Sequence, residues 1–165
     1  MLKDIAISKS ELAELARLNN VSMEKTEEYQ KGVTLGYAKN KLYGLIENSG
    51  GRLIIANKKG ENCYINKNSV DKMLSASSKS IENNFSAGQH FAAVADIINL
   101  YKNSVKVLTH PDKKGSGNIG AIHRYVAPLY DNNIVYITVK EVTKVGNKIY
   151  SIELMELGKL EGKFE

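Results

Sequence analysis

Three β-patterned segments follow one another late in the chain with only tight turns between them, and this limits the available folds more than any other feature. Ile122 to Tyr130 (IHRYVAPLY), Ile134 to Thr143 (IVYITVKEVT) and Lys148 to Glu156 (KIYSIELME) are rich in β-branched and aromatic residues, the side chains that suit a pleated surface. Asp131-Asn132-Asn133 and Gly146-Asn147 supply turn chemistry between them. The expected structure is an antiparallel meander, preceded by a short strand at Val105-Lys106-Val107-Leu108 and a polar loop from Thr109 to Asn118. Side chains alternate across a strand, so Val135, Ile137 and Val139 fall on one face and Tyr136, Thr138 and Lys140 on the other. In the last segment Tyr150, Ile152 and Leu154 alternate with Ser151 and Glu153, and the neighbours His123 and Arg124 of the first must point to opposite faces. One face therefore reads as core. The other gathers Arg124 or His123 with Tyr136, Thr138, Lys140, Ser151 and Glu153.

That inventory suits phosphodiester chemistry without a metal: an imidazole or carboxylate moves a proton, cations hold the phosphate and hydroxyls orient it. The solvated face of an ordinary antiparallel sheet carries the same residue types, so a purely structural reading stands beside it. A net charge of +5 and a pI near 9.1 favour an anionic partner such as nucleic acid. The single cysteine, Cys63, excludes an internal disulfide, and three histidines without paired spacing carry no zinc signature. Neither a metal nor a cofactor is expected. No apolar run reaches the ~18 residues of a membrane span. The opening MLKDIAISKS lacks the apolar segment and cleavage site of a secretory signal, which makes the cytoplasm the expected location. A chain of 165 residues supports one compact core, and the expected division is a helical extension over 1–50 and an α+β domain over 51–165.

Ahead of the meander the patterning is mostly helical. Ser8-Lys9-Ser10-Glu11 has capping-box spacing, with Leu12, Leu15 and Ala16 on one side of the helix it opens. Ser22 caps a second helix through about Lys31, and Leu35, Ala38, Leu42, Leu45 and Ile46 share helical spacing in a third. The first two, joined by Asn19-Asn20-Val21-Ser22, have the outline of a helix-turn-helix, but MEKTEEYQK crowds glutamates where a base-reading helix offers Arg, Asn or Gln. After Gly50-Gly51, Arg52 to Ala56 and Cys63 to Asn66 flank a turn as a hairpin. Asn68 or Ser69 caps a short helix, and a serine-rich stretch leads to another turn of helix around Ile81, with Lys79 a candidate phosphate contact. Ser86-Ala87-Gly88-Gln89 is a second capping box that opens the core helix, whose stripe is Phe91, Val94, Ala95, Ile98 and Tyr101. His90 lies in its first turn, where the helix dipole gathers anions. It is a candidate for binding phosphate or moving a proton, or else a histidine at the rim of the packed face. The loop with His110, Asp112, Lys113 and Lys114 suits the cradling of an anion, and equally a simple turn.

Two families resemble parts of the chain. His110-Pro111-Asp112-Lys113 resembles the tetrapeptide of the J-domain, which stimulates Hsp70 chaperones, and DIINLYKNSVKVLTHPDKK can be laid on that family's second helix. A J-domain needs helix on both sides of the loop, whereas Val105-Lys106-Val107 is β-branched and Pro128 sits in a β-patterned run. The broader resemblance, over about Gly51 to Leu157, is to domains of phage and prophage large polyvalent proteins and of the C-terminal regions of Mu-like minor head proteins. It rests on the order of Ser78 to Ile81, His90-Phe91, His110 to Lys113, Ile122 to Tyr125 with Ala127-Pro128, Tyr136 to Lys140, and Tyr150 to Glu153. Such domains look like members of the barnase/EndoU/colicin/RelE superfamily, so the resemblance implies an α+β fold with helices packed on a small antiparallel sheet.

The same resemblance implies a metal-independent endoribonuclease, a toxin or phage effector, in which the ribose 2′-hydroxyl attacks the adjacent phosphate to leave a 2′,3′-cyclic phosphate. It makes His90, His110, His123, Arg124, Lys140, Tyr150 and Ser151 the candidate catalytic residues. His123 is the first choice as acid or base, with His90 or His110 as its opposite number, and Arg124 and Lys140 would hold the phosphate. Lys79, Lys113, Lys114, Tyr136 and Thr138 are candidate substrate contacts. RNA is then the expected partner, an antitoxin or immunity protein a further one, and a larger phage polyprotein or delivery into a host cell the setting. The alternative is a non-catalytic nucleic-acid or protein-binding module of a mobile element, whose cations hold phosphate while no bond breaks. An ADP-ribosyltransferase is a lesser alternative, because Arg, Ser-Thr and Glu line such sites too.

Overall fold

The computed structural model describes residues 8–18, 24–112, 115 and 117–164. In chain order these form α1 (Lys9–Leu18), α2 (Glu27–Lys31), α3 (Leu35–Asn48), β1 (Leu53–Ala56), β2 (Asn62–Ile65), α4 (Lys67–Ser75), α5 (Ser78–Glu82), α6 (Ala87–Ala95), α7 (Ile97–Lys102), β3 (Val105–His110), β4 (Ile119–Pro128), β5 (Asn133–Val142), β6 (Gly146–Glu156) and a closing 3₁₀ helix, Leu157–Phe164. The fold is α+β, with helices first and most of the sheet after them.

The meander forms, with two corrections. Strand β3 runs on through Thr109 and His110, which the patterning puts in the loop, and the second turn is Thr143 to Val145, with Lys144 at φ 65°, while Gly146-Asn147 opens β6. Between β4 and β5, Asp131 and Asn132 take φ of 52° and 58°, the left-handed conformation that short polar side chains tolerate and that a two-residue hairpin turn needs. Strand order is β1-β2-β6-β5-β4-β3. The sheet is larger than expected, and it is mixed. The β1–β2 hairpin returns alongside β6 in parallel, through the single pairing of Tyr64 with Lys148. Beyond that point the edge of β6 is covered by α5: Leu154 N–H donates to Ser80 Oγ at 3.0 Å and Asn83 Nδ2 donates to the Leu154 carbonyl at 3.0 Å. An open edge thereby has its backbone groups satisfied.

On one face Val135, Ile137 and Val139 pack with Ala127, Ile152 and Leu154 under the helices. Ala38, Leu42 and Ile46 of α3 and Tyr29 of α2 belong to the same cluster, so α2 and α3 pack into the core that the sheet and α6 share. Gly32 seals this junction. Its φ is +76°, and a Cβ there would stand 2.8 Å from Gly88 Cα at the start of α6, while Val33 N–H donates to the Gly88 carbonyl at 3.0 Å. The N-cap of α2 is Thr26; Ser22, the expected cap, and the expected turn at Asn19 to Val21 lie outside the described residues. Asn66, not Asn68 or Ser69, caps α4, in a reciprocal box with Ser69. The box of Ser86 and Gln89 opens α6 as expected, but the expected continuous core helix breaks at Asp96, where φ is −100° and ψ 14°.

The second face is divided. At one end Leu12 of α1 and Leu160 of the 3₁₀ helix close over Val107, Val126, Ile134, Tyr136 and Met155. The other end carries the polar side chains. Strict alternation in β6 fails at one place: Ser151 pairs with Thr138 and Ile149 with Val139, so Tyr150 is an inserted bulge residue. Ile149, Ile152 and Leu154 then face the core, and Tyr150 joins Ser151 on the second face. A bulge commonly re-aims one side chain in this way. The J-domain expectation is overturned here too, because His110 is the last residue of strand β3, Pro111 and Asp112 follow it, and the next element is strand β4 rather than a helix.

Candidate functional site

Register lines up the second face in rows, from the polar end to the edge of the apolar cluster under Leu12 and Leu160. Leu108, Arg124, Thr138 and Ser151 are successive cross-strand partners, and on either side of them run His110, Ile122, Lys140 and Lys148, and Val126, Tyr136 and Glu153. Arg124, only partly exposed, is the centre of this arrangement. Its Nε donates to His110 Nε2 at 3.0 Å, its Nη1 donates to Thr138 Oγ1 at 2.5 Å, and the guanidinium lies 5.7 Å from the centre of the Tyr136 ring.

The partners of His110 define its tautomer. A carbonyl only accepts, so Nδ1–H donates to the Pro111 carbonyl at 2.8 Å, and Nε2 offers its lone pair to Arg124. Tyr136 is buried, and its hydroxyl is held above the ordinary phenol range by burial first, with Arg124 lowering it and Glu153 raising it. Glu153 is itself positioned by Asn83, whose Nδ2 donates to Oε2 at 3.0 Å. It stands on the face that alternation defined but is absent from the candidate site residues; its one sequence signal is its place two residues from Ser151.

The other two histidines do not join this group. Consecutive pairing of His123 with Val139 and of Arg124 with Thr138 sends their side chains to opposite faces. His123 Nδ1 shares a hydrogen bond with Thr109 Oγ1 at 2.9 Å, and Nε2–H donates to Glu141 Oε2 at 3.3 Å. The sheet separates it from His110, so the expected pairing of these two rings around one phosphate does not exist. His90 is 0% exposed. Its Nε2–H donates to the Met73 carbonyl at 2.8 Å, and Nδ1 accepts from the Ser80 hydroxyl at 2.8 Å. Burial lowers its pKa, which keeps it neutral and fits a structural clamp between α4, α5 and α6.

Of the remaining candidates, Ser151 sits beside Thr138 in the Arg124 row. Lys140 and Tyr150 lie next to it, with the ammonium 3.6 Å from the ring centre. Lys79 is exposed on α5 and pairs with Glu82 at 3.6 Å. Lys113 and Lys114 lie outside the described residues. Among the described residues no group of three or more His, Cys, Asp or Glu side chains is arranged to hold a metal ion, and no helix is long and apolar enough to cross a membrane.

Residues 36–150 match the family model of Large polyvalent protein-associated domain 3. That span runs from α3 to Tyr150 and includes His110, Arg124, Tyr136, Thr138 and Lys140, whereas α1, Ser151 and Glu153 fall beyond it. No curated protein and no solved structure matches the chain.

Proposed function

Taking as premise that this chain belongs to the Large polyvalent protein-associated domain 3 family, we propose that the Arg124 row is the centre of an endoribonuclease that works with side chains alone. The observation that carries this reading is the partly exposed Arg124 side chain held between Nε2 of the buried His110 and Oγ1 of the buried Thr138. A phosphate entering the row draws Arg124 off the imidazole and takes its parallel N–H donors in a charge-assisted, bidentate contact. That frees the Nε2 lone pair of His110 beside the bound phosphate. His110 then accepts the proton of the ribose 2′-hydroxyl, the 2′-oxygen bonds to phosphorus, and the bond to the 5′-oxygen breaks. The departing oxygen takes a proton from the Tyr136 hydroxyl, which solvent later restores. Even above its ordinary pKa a phenol is a stronger acid than an aliphatic alcohol, so the transfer to an alkoxide runs downhill. Thr138 and Ser151 orient the phosphate, and Arg124 stabilises the charge that develops on it.

The products would be a 2′,3′-cyclic phosphate and a 5′-hydroxyl. The sequence likeness to the barnase/EndoU/colicin/RelE superfamily supports the same chemistry. A toxin or phage effector acting on RNA in a cytoplasm, carried in a larger polyvalent protein and neutralised by a partner over this face, is the setting that fits it. A binding module without chemistry is the second reading, favoured by the cluster of lysines beside the row that, among the described residues, have no carboxylate partner.

The test is incubation of the chain with total RNA in EDTA, followed by mapping of the cut ends. Cyclic phosphate ends from the wild type, lost with Arg124→Ala and His110→Ala and retained with His123→Ala, are the expected result. Intact RNA from a folded wild type that binds RNA, or full cleavage by Arg124→Ala, overturns the proposal.

A further inference from the structure

Next to the Arg124 row the same face holds a second set of cations that the proposed reaction leaves unused. The β6 bulge brings the Tyr150 ring onto this face, and two ammonium groups lie on it, Lys140 at 3.6 Å and Lys72, reaching over from α4, at 4.7 Å from the centre. Lys148 is the cross-strand partner of Lys140 and donates to Asn68 Oδ1 at 2.9 Å. Among the described residues none of Lys72, Lys140 and Lys148 has a carboxylate at ion-pair distance. Nearby lysines are compensated, Lys67 by Glu47 at 2.9 Å and Lys39 by Asp71 at 3.7 Å. The cost of the crowding shows in Lys148, whose pKa is lowered by burial first and by Lys72 next. Two ammonium groups on the ring and a third beside Lys140 thus lack a carboxylate partner among the described residues.

We infer that Tyr150 with Lys72, Lys140 and Lys148 forms a subsite for one unpaired nucleotide of single-stranded RNA, the base stacking on the ring and its phosphate held by the lysines. The inference rests on the reading of the Arg124 row as the place of cleavage. Lys140 is the diagonal cross-strand neighbour of Arg124, and such positions are about 7–8 Å apart, so the nucleotide held here is next to the one that is cut. In the free protein the ring carries the two ammonium groups as cation–π partners. A phosphate draws them to itself and leaves the ring to the base. Stacking of this kind accepts every base but requires one that is not paired, so the subsite selects single strands rather than a sequence.

The experiment uses the full chain and a short single-stranded RNA made uncleavable by 2′-O-methylation, with binding measured across a range of salt. Tyr150→Leu should weaken binding about tenfold while Tyr150→Trp restores it. Lys72→Gln with Lys140→Gln should lower the salt slope by about 0.7 for each lysine removed, and binding of an equal length of duplex should not respond to Tyr150→Leu. Wild-type affinity in Tyr150→Leu, or a salt slope unchanged in the lysine variant, overturns the subsite. The exposed Lys72→Gln alone tests the lysines in the same way should the Tyr150 variants fail to fold. The two readings fail separately: cleavage that needs Arg124 with binding that ignores Tyr150 and the lysines removes the subsite alone. Tyr150-dependent binding without any cleavage removes the nuclease reading alone.

Discussion

His90 lies under the helices on one side of the sheet and His110 on the other, and both rings have partners at both nitrogens. The partners differ in kind. His90 is held by the Met73 carbonyl and by a serine hydroxyl that is itself bound to the backbone of β6, so each of its contacts belongs to a packed element and excludes solvent. His110 is held on one side by the Pro111 carbonyl and on the other by the arginine side chain of a neighbouring strand, a cation that an anion can pull away. A histidine fastened only to backbone and buried hydroxyls serves the fold. His110 is also buried, but its partner Arg124 is a partly exposed ion, and in the proposed reaction an anion that draws Arg124 away releases the ring to do chemistry.

The sharpest way to break this contrast is to remove one partner from each side. Arg124→Ala should lower the rate of RNA cleavage by about a hundredfold to a thousandfold, the usual loss for a charge-stabilising donor, with the urea unfolding midpoint close to wild type. His90→Ala should do the reverse. It leaves a cavity and strips partners from Ser80 and the Met73 carbonyl, so a loss of about 2–4 kcal/mol in unfolding free energy is expected, and cleavage per folded molecule should be unchanged. A stable His90→Ala or an unfolded Arg124→Ala would dissolve the comparison.

A smaller effect separates the two by pH. Burial lowers the pKa of His90 in the folded chain, so the unfolded chain binds the proton more readily. The contribution of this residue is therefore complete above its unfolded pKa of about 6.5 and is lost as pH falls toward the folded value, with a slope that approaches about 1.4 kcal/mol per pH unit. Unfolding curves between neutral and mildly acid pH should show this slope, and His90→Phe should flatten it. Smallest of all in rate, Thr138→Val removes one acceptor from Arg124 at a buried position and should slow cleavage about tenfold with a loss of about 1–2 kcal/mol in unfolding free energy. An unchanged rate would remove Thr138 from the residues that orient the phosphate.

Much of this architecture is legible in the sequence. The presence of the meander strands, the turn at Asp131-Asn132 and the box at Ser86 and Gln89 are local features, carried by residues within a few positions of one another, and they are legible, whereas the end of β3 at His110 and the start of β6 at Gly146 are not where the patterning puts them. The opposite orientation of His123 and Arg124 follows from the pleat alone. The features that patterning misses depend on partners far away in the chain. Which of the two faces Thr138 and Tyr136 cannot be decided within β4, and the inserted Tyr150 becomes visible only when β6 is laid against β5. The dipole argument places His90 near anions, but its burial comes from α4 and α5, which close over it from elsewhere in the sequence. The cation Lys72 joins the site for the same reason, across a tertiary contact with the Tyr150 ring, and Glu153, which alternation already puts on this face, finds its partner Asn83 in the same way.

Alternation, β-branching and turn residues in the sequence by itself determined an α+β chain with a meander and a polar sheet face bearing arginine and lysine, because these are properties of the local backbone and its immediate side chains. Only the tertiary structure decided that the sheet has six mixed strands, that α1 and the 3₁₀ helix close one end of its second face, and that His110 rather than His123 or His90 meets Arg124. Those outcomes depend on register, on a bulge and on which helix covers which end, and each is set by contacts between residues too distant along the chain for their pattern to record.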